Sequence, residues 1–303
     1  MRGLSAAALS AVLASSTAAQ TAPAQTAPAQ TAPAQTAPAR VMAIRCESLL
    51  TVAAPRLAWR GDAVQWAEWS VRLGADGVRA RVIVARMHAA RVRFSLEIAR
   101  RGDEMLPWTL DEAPKDAQLA VNAGQFTDDG PWGWVVHKQR ELQPPGVGPL
   151  SGAFVMDSAG AVSLLNANEI ALWRTPLRAI EAVQSYPVLL AGNGRPPRAM
   201  CDERAGLDLT HRDARLAVGI TRDAQVLFVL TRYEAPGGSV TRVPIGPTTP
   251  EMAEILRRLG ADRAMMLDGG LSAQMLVRSA TDSARWPGFR SVPLALVARA
   301  RPQ

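Results

Sequence analysis

The sequence predicts an α+β fold: a single strand-rich domain with mixed sheets and few helices. Three observations carry this. Short apolar runs with period-two alternation recur along the chain. Polar clusters bearing Gly, Asp or Asn separate them at hairpin spacing. Helical spacing is clear after Thr249-Pro250, where Met252, Ile255, Leu256 and Leu259 recur on one face. The 303 residues are 48% hydrophobic, enough for one large core or two small ones.

The first forty residues stand apart from that core. Met1 to Ala19 has one basic residue, an apolar centre from Leu4 to Ala14, and small residues Thr17-Ala18-Ala19, the pattern of a secretory signal peptide cleaved after Ala19. Residues 20–40 follow as a linker. It holds four copies of a five-residue unit, from Thr21-Ala22-Pro23-Ala24-Gln25 to Thr36-Ala37-Pro38-Ala39-Arg40. Regular proline without large apolar residues makes an extended, solvated tether. The folded domain is expected over 41–303, with a split near Gln143-Pro144-Pro145-Gly146 as the weaker alternative. No later apolar run has the length of a membrane-spanning helix, so the mature chain is expected to lack one and to be periplasmic or secreted.

Within the domain, Val71 and Leu73, then Val82 and Val84, alternate with polar neighbours. Phe94, Leu96 and Ile98 point one way, and Arg93, Ser95 and Glu97 the other. Leu119-Ala120-Val121 is an apolar strand opening into Asn122-Ala123-Gly124-Gln125-Phe126, with Trp132 and Trp134 beyond it as candidates for sugar stacking or packing. Runs 152–156 and 162–165 bracket Asp157-Ser158-Ala159-Gly160 as a hairpin. Glu181 to Ser185 leads through Tyr186-Pro187 to Val188-Leu189-Leu190. Runs 215–220 and 226–230 flank a second hairpin turn. Thr249 is expected as N-cap with Pro250 at the first helical position, and Gly260 ends the helix. A buried strand, Met265-Met266-Leu267, then stops at Asp268-Gly269-Gly270-Leu271-Ser272, where glycine permits positive φ and close backbone approach.

Composition narrows the chemistry. Formal charge is +7; two arginines and no acids lie in residues 1–40, leaving 32 bases against 27 acids, or +5. This suits an anionic ligand, but the bases are scattered, so nucleic acid is not expected as a partner. Lys115 and Lys138 are the chain's only lysines, which argues against lysine nucleophiles. Cys46 and Cys201 are compatible with one disulfide in an oxidising compartment, their pairing left open. Three scattered histidines, His88, His137 and His211, make a structural zinc site improbable, and neither metal nor cofactor is expected.

Several apolar strands thus end in small, polar, glycine-bearing loops: Asn122-Ala123-Gly124, Gln184-Ser185, Arg215 near His211, and Asp268-Gly269-Gly270. Gathered on one rim, they would bring an amide, a guanidinium, a carboxylate and a hydroxyl to one concavity. The ordered set Asn122 to Phe126, Gln184 to Leu190, Arg215 to Ile220 and Leu259 to Ser272 resembles the phosphodiester glycosidase family over roughly residues 110 to 300. Gln125, Leu216 and Leu271 depart from the family pattern.

The resemblance implies an exported hydrolase that cleaves a sugar from a glycosyl phosphodiester at the anomeric carbon, in envelope or exopolysaccharide metabolism. Asp268, Arg215 and Asn122 would be catalytic; Gly269, Gly270, Ser272, Gln184, Ser185 and His211 would bind substrate. Arg215 suits phosphate, because a planar guanidinium meets two oxygens at once. A phosphate monoester with a second pKa of about 6 leaves with little protonation, which relaxes the usual need for two carboxylates. Three roles are open to Asp268: stabilising positive charge at the anomeric carbon, acting as nucleophile, or orienting water. Asn122 would hold a sugar hydroxyl or phosphate oxygen, and the Gly269 and Gly270 amides an anion. The alternative is a non-catalytic binder of anionic glycans or sugar phosphates on the same fold. A metal-dependent phosphoesterase is weaker, because no dense carboxylate or histidine cluster is visible.

Overall fold

The period-two runs become antiparallel strands that build three sheets around one core. The computed structural model describes residues 55–301, apart from 99, 102–103, 149, 203–204 and 281. The expected signal peptide, the repeat linker and Cys46 lie outside the described residues. The largest sheet runs edge to edge through Arg60–Gly61, Val64–Leu73, Val78–His88, Gln225–Glu234, Leu216–Thr221, Ala261–Met266 and Val188–Ala191, with Val240–Thr241 beside Gln225–Glu234. A second sheet orders Arg140–Gln143, Val135–His137, Ala179–Ser185, Gly152–Asp157 and Val162–Asn166. The third orders Ser283–Trp286, Met275–Arg278, Leu119–Asn122, Leu294–Ala300 and Val92–Ile98. The strand-rich α+β class predicted from sequence holds. Where mixed sheets were expected, the pairings within these three sheets are antiparallel.

Each sheet sends one phenylalanine to the centre. Phe94, Phe154 and Phe228 are fully buried, with ring centroids 5.2, 5.9 and 6.3 Å apart. Their edge-to-face and tilted contacts add to the burial of their large apolar surfaces. Outer faces are covered separately. Helix α1 (Ala167–Arg174) places Ile170 and Trp173 against the second sheet. Helix α2 (Thr249–Arg258) places Met252, Ala253, Ile255 and Leu256 against the largest. Trp108, Leu110 and Ala113 cover the third. Among the described residues no helix is long and apolar enough to cross a membrane.

Local turn chemistry follows the sequence closely. In the 152–166 hairpin, Phe154 pairs with Leu164, Asp157 accepts the Ala161 amide at 2.8 Å, and Gly160 takes φ +76°. The 216–234 hairpin pairs Val218 with Phe228. Helix α2 is capped by Thr248, one residue earlier than expected. Thr248 Oγ1 accepts the Glu251 amide at 3.4 Å, and Glu251 accepts the Thr248 amide at 2.8 Å. The box needs an acid three residues after the cap, which Thr248 has and Thr249 lacks. Gly260 closes the helix at φ +88° with its N–H on the Arg257 carbonyl.

Candidate active site

The acid-bearing loop is held from behind by the neighbouring sheet. Strand Ala261–Met266 leads into Leu267, whose N–H bonds the Leu216 carbonyl at 2.8 Å. The next amide, of Asp268, crosses to the third sheet and bonds the Ala123 carbonyl at 3.0 Å. Asn122, wholly buried, completes this seam. Its Nδ2 donates to the Asp268 carbonyl at 2.7 Å and its Oδ1 accepts the Gln274 amide at 2.9 Å. The loop thus hangs between two strand ends. Gly124 is needed beside it, because a Cβ there would stand 2.3 Å from the Gln184 carbonyl oxygen. Gly270 takes φ +58° and donates its N–H to the Ala214 carbonyl at 2.7 Å, tying the loop to the arm that carries Arg215.

That arm, residues 211–215, leads into strand Leu216–Thr221 and is anchored along its length. Arg212 bridges Asp76 at 2.7 Å and Glu251 at 2.6 Å, fixing the arm to the N-terminus of α2. The Arg215 amide bonds Thr231 Oγ1 at 2.8 Å. Its guanidinium donates from Nε to the Pro247 carbonyl at 3.0 Å and from one Nη to the His211 carbonyl at 2.7 Å. Two backbone bonds orient the fork, and the other Nη makes no hydrogen bond to the described residues. Burial lowers the Arg215 pKa, opposed by the charges of Asp213 and Asp208.

Arg215, Asp268, Asp213, Asp208 and His211 line one cavity of about 340 Å³, closed elsewhere by Gln125, Tyr186 and Gly269. Larger cavities, about 730 and 660 Å³, are lined by other residues, and neither brings these motif residues together. Asp268 titrates at about 6, up from 3.8. Burial is the main cause and the Asp213 charge adds to it; a bond from Ser272, the Arg290 charge and the Gly269 N–H oppose it. Asp213 is raised as well, again mainly by burial, with Arg215 opposing. The site therefore holds two carboxylates that resist ionising together, beside an arginine anchored for anion contact.

The expected set divides on inspection. Asp268, Arg215, His211 and Gly269 line the cavity. His211 is exposed, its Nε2 3.9 Å from Asp213. Asn122 does not reach the opening, because both ends of its amide are spent on backbone. Gln184 is likewise committed: its Oε1 accepts the Trp134 and Gly146 amides and its Nε2 donates to the Gly146 carbonyl. Ser185 donates to Gln125 Oε1 at 2.8 Å, and so positions a cavity residue rather than entering the cavity. Ser272 is buried and bonds Asp268. The Gly270 amide, expected to meet an anion, is taken by Ala214, and the Gly269 amide bonds the Asp268 side chain. Trp134 is core, its Nε1 on Glu141 at 2.9 Å, and Trp132 packs on Gly146. Leu271, a departure from the family pattern, turns outward at 49% exposure.

Sequence reasoning missed Asp213, Gln125, Tyr186 and Arg290. Asp213 was findable: His211, Asp213 and Arg215 alternate in the chain, the spacing that puts residues on one side of an extended segment, and all three line the cavity. Arg290 carried no local signal. It reaches the site from another sheet's connection, its guanidinium 4.7 Å over the Phe126 ring and its charge felt by Asp268.

The sequence model of the phosphodiester glycosidases matches residues 115–299. This chain belongs to that family. The matched span holds Asn122, Arg215, Asp268 and the whole seam between them. Among solved structures, the phosphodiester glycosidase fold here is similar to the zebrafish N-acetylglucosamine-1-phosphodiester alpha-N-acetylglucosaminidase catalytic domain, auto-inhibited by its pro-peptide. That similarity has TM-score 0.61 and 15% identity, covering 82% of this chain and 88% of that one. A hypothetical protein from Synechocystis gives TM-score 0.52 and 16% identity, over 82% of this chain and 64% of that one. At such identities the likeness is one of fold. No curated protein sequence matches the chain.

Proposed function

We propose that this protein is an exported hydrolase that releases a sugar from a glycosyl phosphodiester by breaking the bond between the anomeric carbon and the phosphate oxygen. One observation carries the reading: a carboxylate held near pKa 6, an oriented guanidinium and a second acid two residues before it, Asp213, line the same cavity of a phosphodiester glycosidase fold. Arg215 takes the phosphodiester charge with its unspent Nη, and Arg290 adds positive potential. The bond electrons leave on the phosphate, which is stable as a monoester dianion near neutral pH and needs little help from an acid. Water is the acceptor. Asp268, basic enough at neutral pH to take the water proton, orients it toward the anomeric carbon as positive charge develops there. Burial, with the Asp213 charge adding to it, keeps Asp268 basic. Asn122 acts behind the site, holding the Asp268 backbone in place.

Export rests on the leader-like Met1 to Ala19 and on Cys201, which is disulfide-bonded, as an oxidising compartment allows. On this reading 1–19 is removed, 20–40 is a tether and 41–303 is the catalytic unit, working in envelope or exopolysaccharide metabolism.

The test is release of free sugar from a glycosyl phosphodiester in ¹⁸O-labelled water, with Asp268→Asn as control. Label in the sugar, lost with the variant, is the expected result. Label in the phosphate would mean phosphorus–oxygen cleavage. Tight binding without turnover by the unaltered protein would leave a binder of anionic glycans.

A further inference from the structure

The surface beside the cavity has an unusual make-up. Among the described residues seven large hydrophobic side chains are exposed; five of them fall on two stretches, Val240, Val243 and Ile245 in the segment that runs to Pro247, and Leu271 and Phe289 in the turns after Gly270 and Trp286. Their continuity is visible in the contacts. The Phe289 amide bonds the Leu271 carbonyl at 2.8 Å, and the Arg242 guanidinium stacks 4.6 Å above the Phe289 ring, joining the loop of Val243 and Ile245 to the turn of Leu271. That same loop ends at Pro247, whose carbonyl orients Arg215, while Leu271 directly precedes the Ser272 that bonds Asp268. The apolar shelf therefore starts where the phosphate-binding guanidinium and the reactive carboxylate stop. Arginines mark its borders: Arg242 on Phe289 and Arg290 on Phe126, both exposed.

Leaving this much apolar surface open is unfavourable unless something covers it. A hydrophilic group on the far side of the phosphate gains nothing from Leu271 or Phe289. A hydrocarbon chain joined to the phosphate would lie across them, with its phosphate flanked by arginines, the arrangement that amphiphiles with anionic heads favour.

We propose that the group on the far side of the phosphate is lipidic, so that the substrate is a sugar joined through a phosphodiester to an alkyl or isoprenoid chain seated on the Leu271–Phe289 shelf. This rests on the proposed reading of the site as one for glycosyl phosphodiesters. It adds the class of the leaving group.

The test separates the two ideas. Binding of methyl phosphate and of octyl phosphate, the latter below its micelle concentration, is measured by calorimetry on the full mature chain. Each methylene taken from water is worth about fourfold, so half-covering seven of them predicts roughly a hundredfold tighter binding of the octyl compound. In Phe289→Ser, and separately in Leu271→Ser, the octyl-to-methyl ratio falls by about tenfold. Both side chains are exposed, so both variants are expected to fold. Equal affinity for the two phosphates, no binding of either, or a ratio untouched by both substitutions overturns the proposal. So does a dimer, seen by light scattering, that Phe289→Ser disperses, since a second copy would then be what covers the shelf. If octyl preference holds but no glycosyl phosphodiester is hydrolysed, the shelf stands and the enzymatic reading falls.

Discussion

Replacing Asp268 with asparagine should abolish turnover and at the same time stabilise the protein at neutral pH. Burial holds the carboxyl at about 6 rather than 3.8. Between those two pH values the native protein keeps a proton that the unfolded chain has released. The native state then binds more protons, so the unfolding free energy falls as pH rises through this window. Below about 4 there is no penalty; above about 6 it is complete. The gap corresponds to on the order of 3 kcal/mol, which residual solvent contact trims to about 2 kcal/mol. Asparagine keeps an oxygen to accept from Ser272 and the Gly269 N–H, so the bonds survive without the charge. Urea unfolding of both proteins at intervals from pH 4 to pH 8 reads the effect directly. The unaltered protein should lose stability between pH 4 and pH 7 relative to the variant, and the variant should be the more stable at pH 7. Parallel curves, or a variant less stable at pH 7, would refute the claim that the fold holds this carboxylate at a cost.

Three further outcomes follow from the same geometry. Asn122→Ala strands two buried backbone groups, the Asp268 carbonyl and the Gln274 amide, and should cost roughly 2–5 kcal/mol in urea unfolding; a loss below about 1 kcal/mol would mean the seam is not held by this amide. Asp213→Asn removes a charge that raises Asp268, so the limb of the pH–kcat profile belonging to Asp268 should move to lower pH, and an unmoved limb would uncouple the two acids. Arg232 is buried, titrates at about 10 because burial disfavours its charge, and spans the carbonyls of Ala273 and Pro287 at 2.6 and 3.1 Å. Both bonds come from one Nη, whose position the shorter lysine stem does not reach, so Arg232→Lys should lower stability by about 2 kcal/mol or more and loosen the turn after Ser272, read by faster amide exchange at residues 270–274.

Some features were legible because their causes are local. Alternation at Phe94, Leu96 and Ile98 needs only neighbours in the chain to declare one buried face. The glycine at 260 and the acid-bearing turn at 268–270 are likewise short-range signals. The helix cap was off by one residue because two adjacent threonines compete, and the acid at 251 decides between them. Other assignments looked alike in sequence yet parted in space. Asn122 and Arg215 both sit at strand boundaries, but one amide is sealed behind the loop while the guanidinium lines the cavity. Gln184 and Gln125 have the same side chain, and only the second reaches the opening.

The sequence by itself determined the strand content, the hairpins, the helix before the acid, and the family to which the ordered motifs belong. Tertiary structure alone decided which side chains are spent holding the loop and which are free to meet a ligand. It also decided that Asp213 and Arg290 join Asp268, and that apolar side chains from separate loops form a shelf at its edge. The physical reason is distance along the chain: Asn122 and the Asp268 carbonyl are 146 residues apart, and the bond between them exists because two sheets meet there. A residue's hydrogen-bonding capacity is written in its type, but whether that capacity is already used depends on partners that only the packed sheets bring within reach.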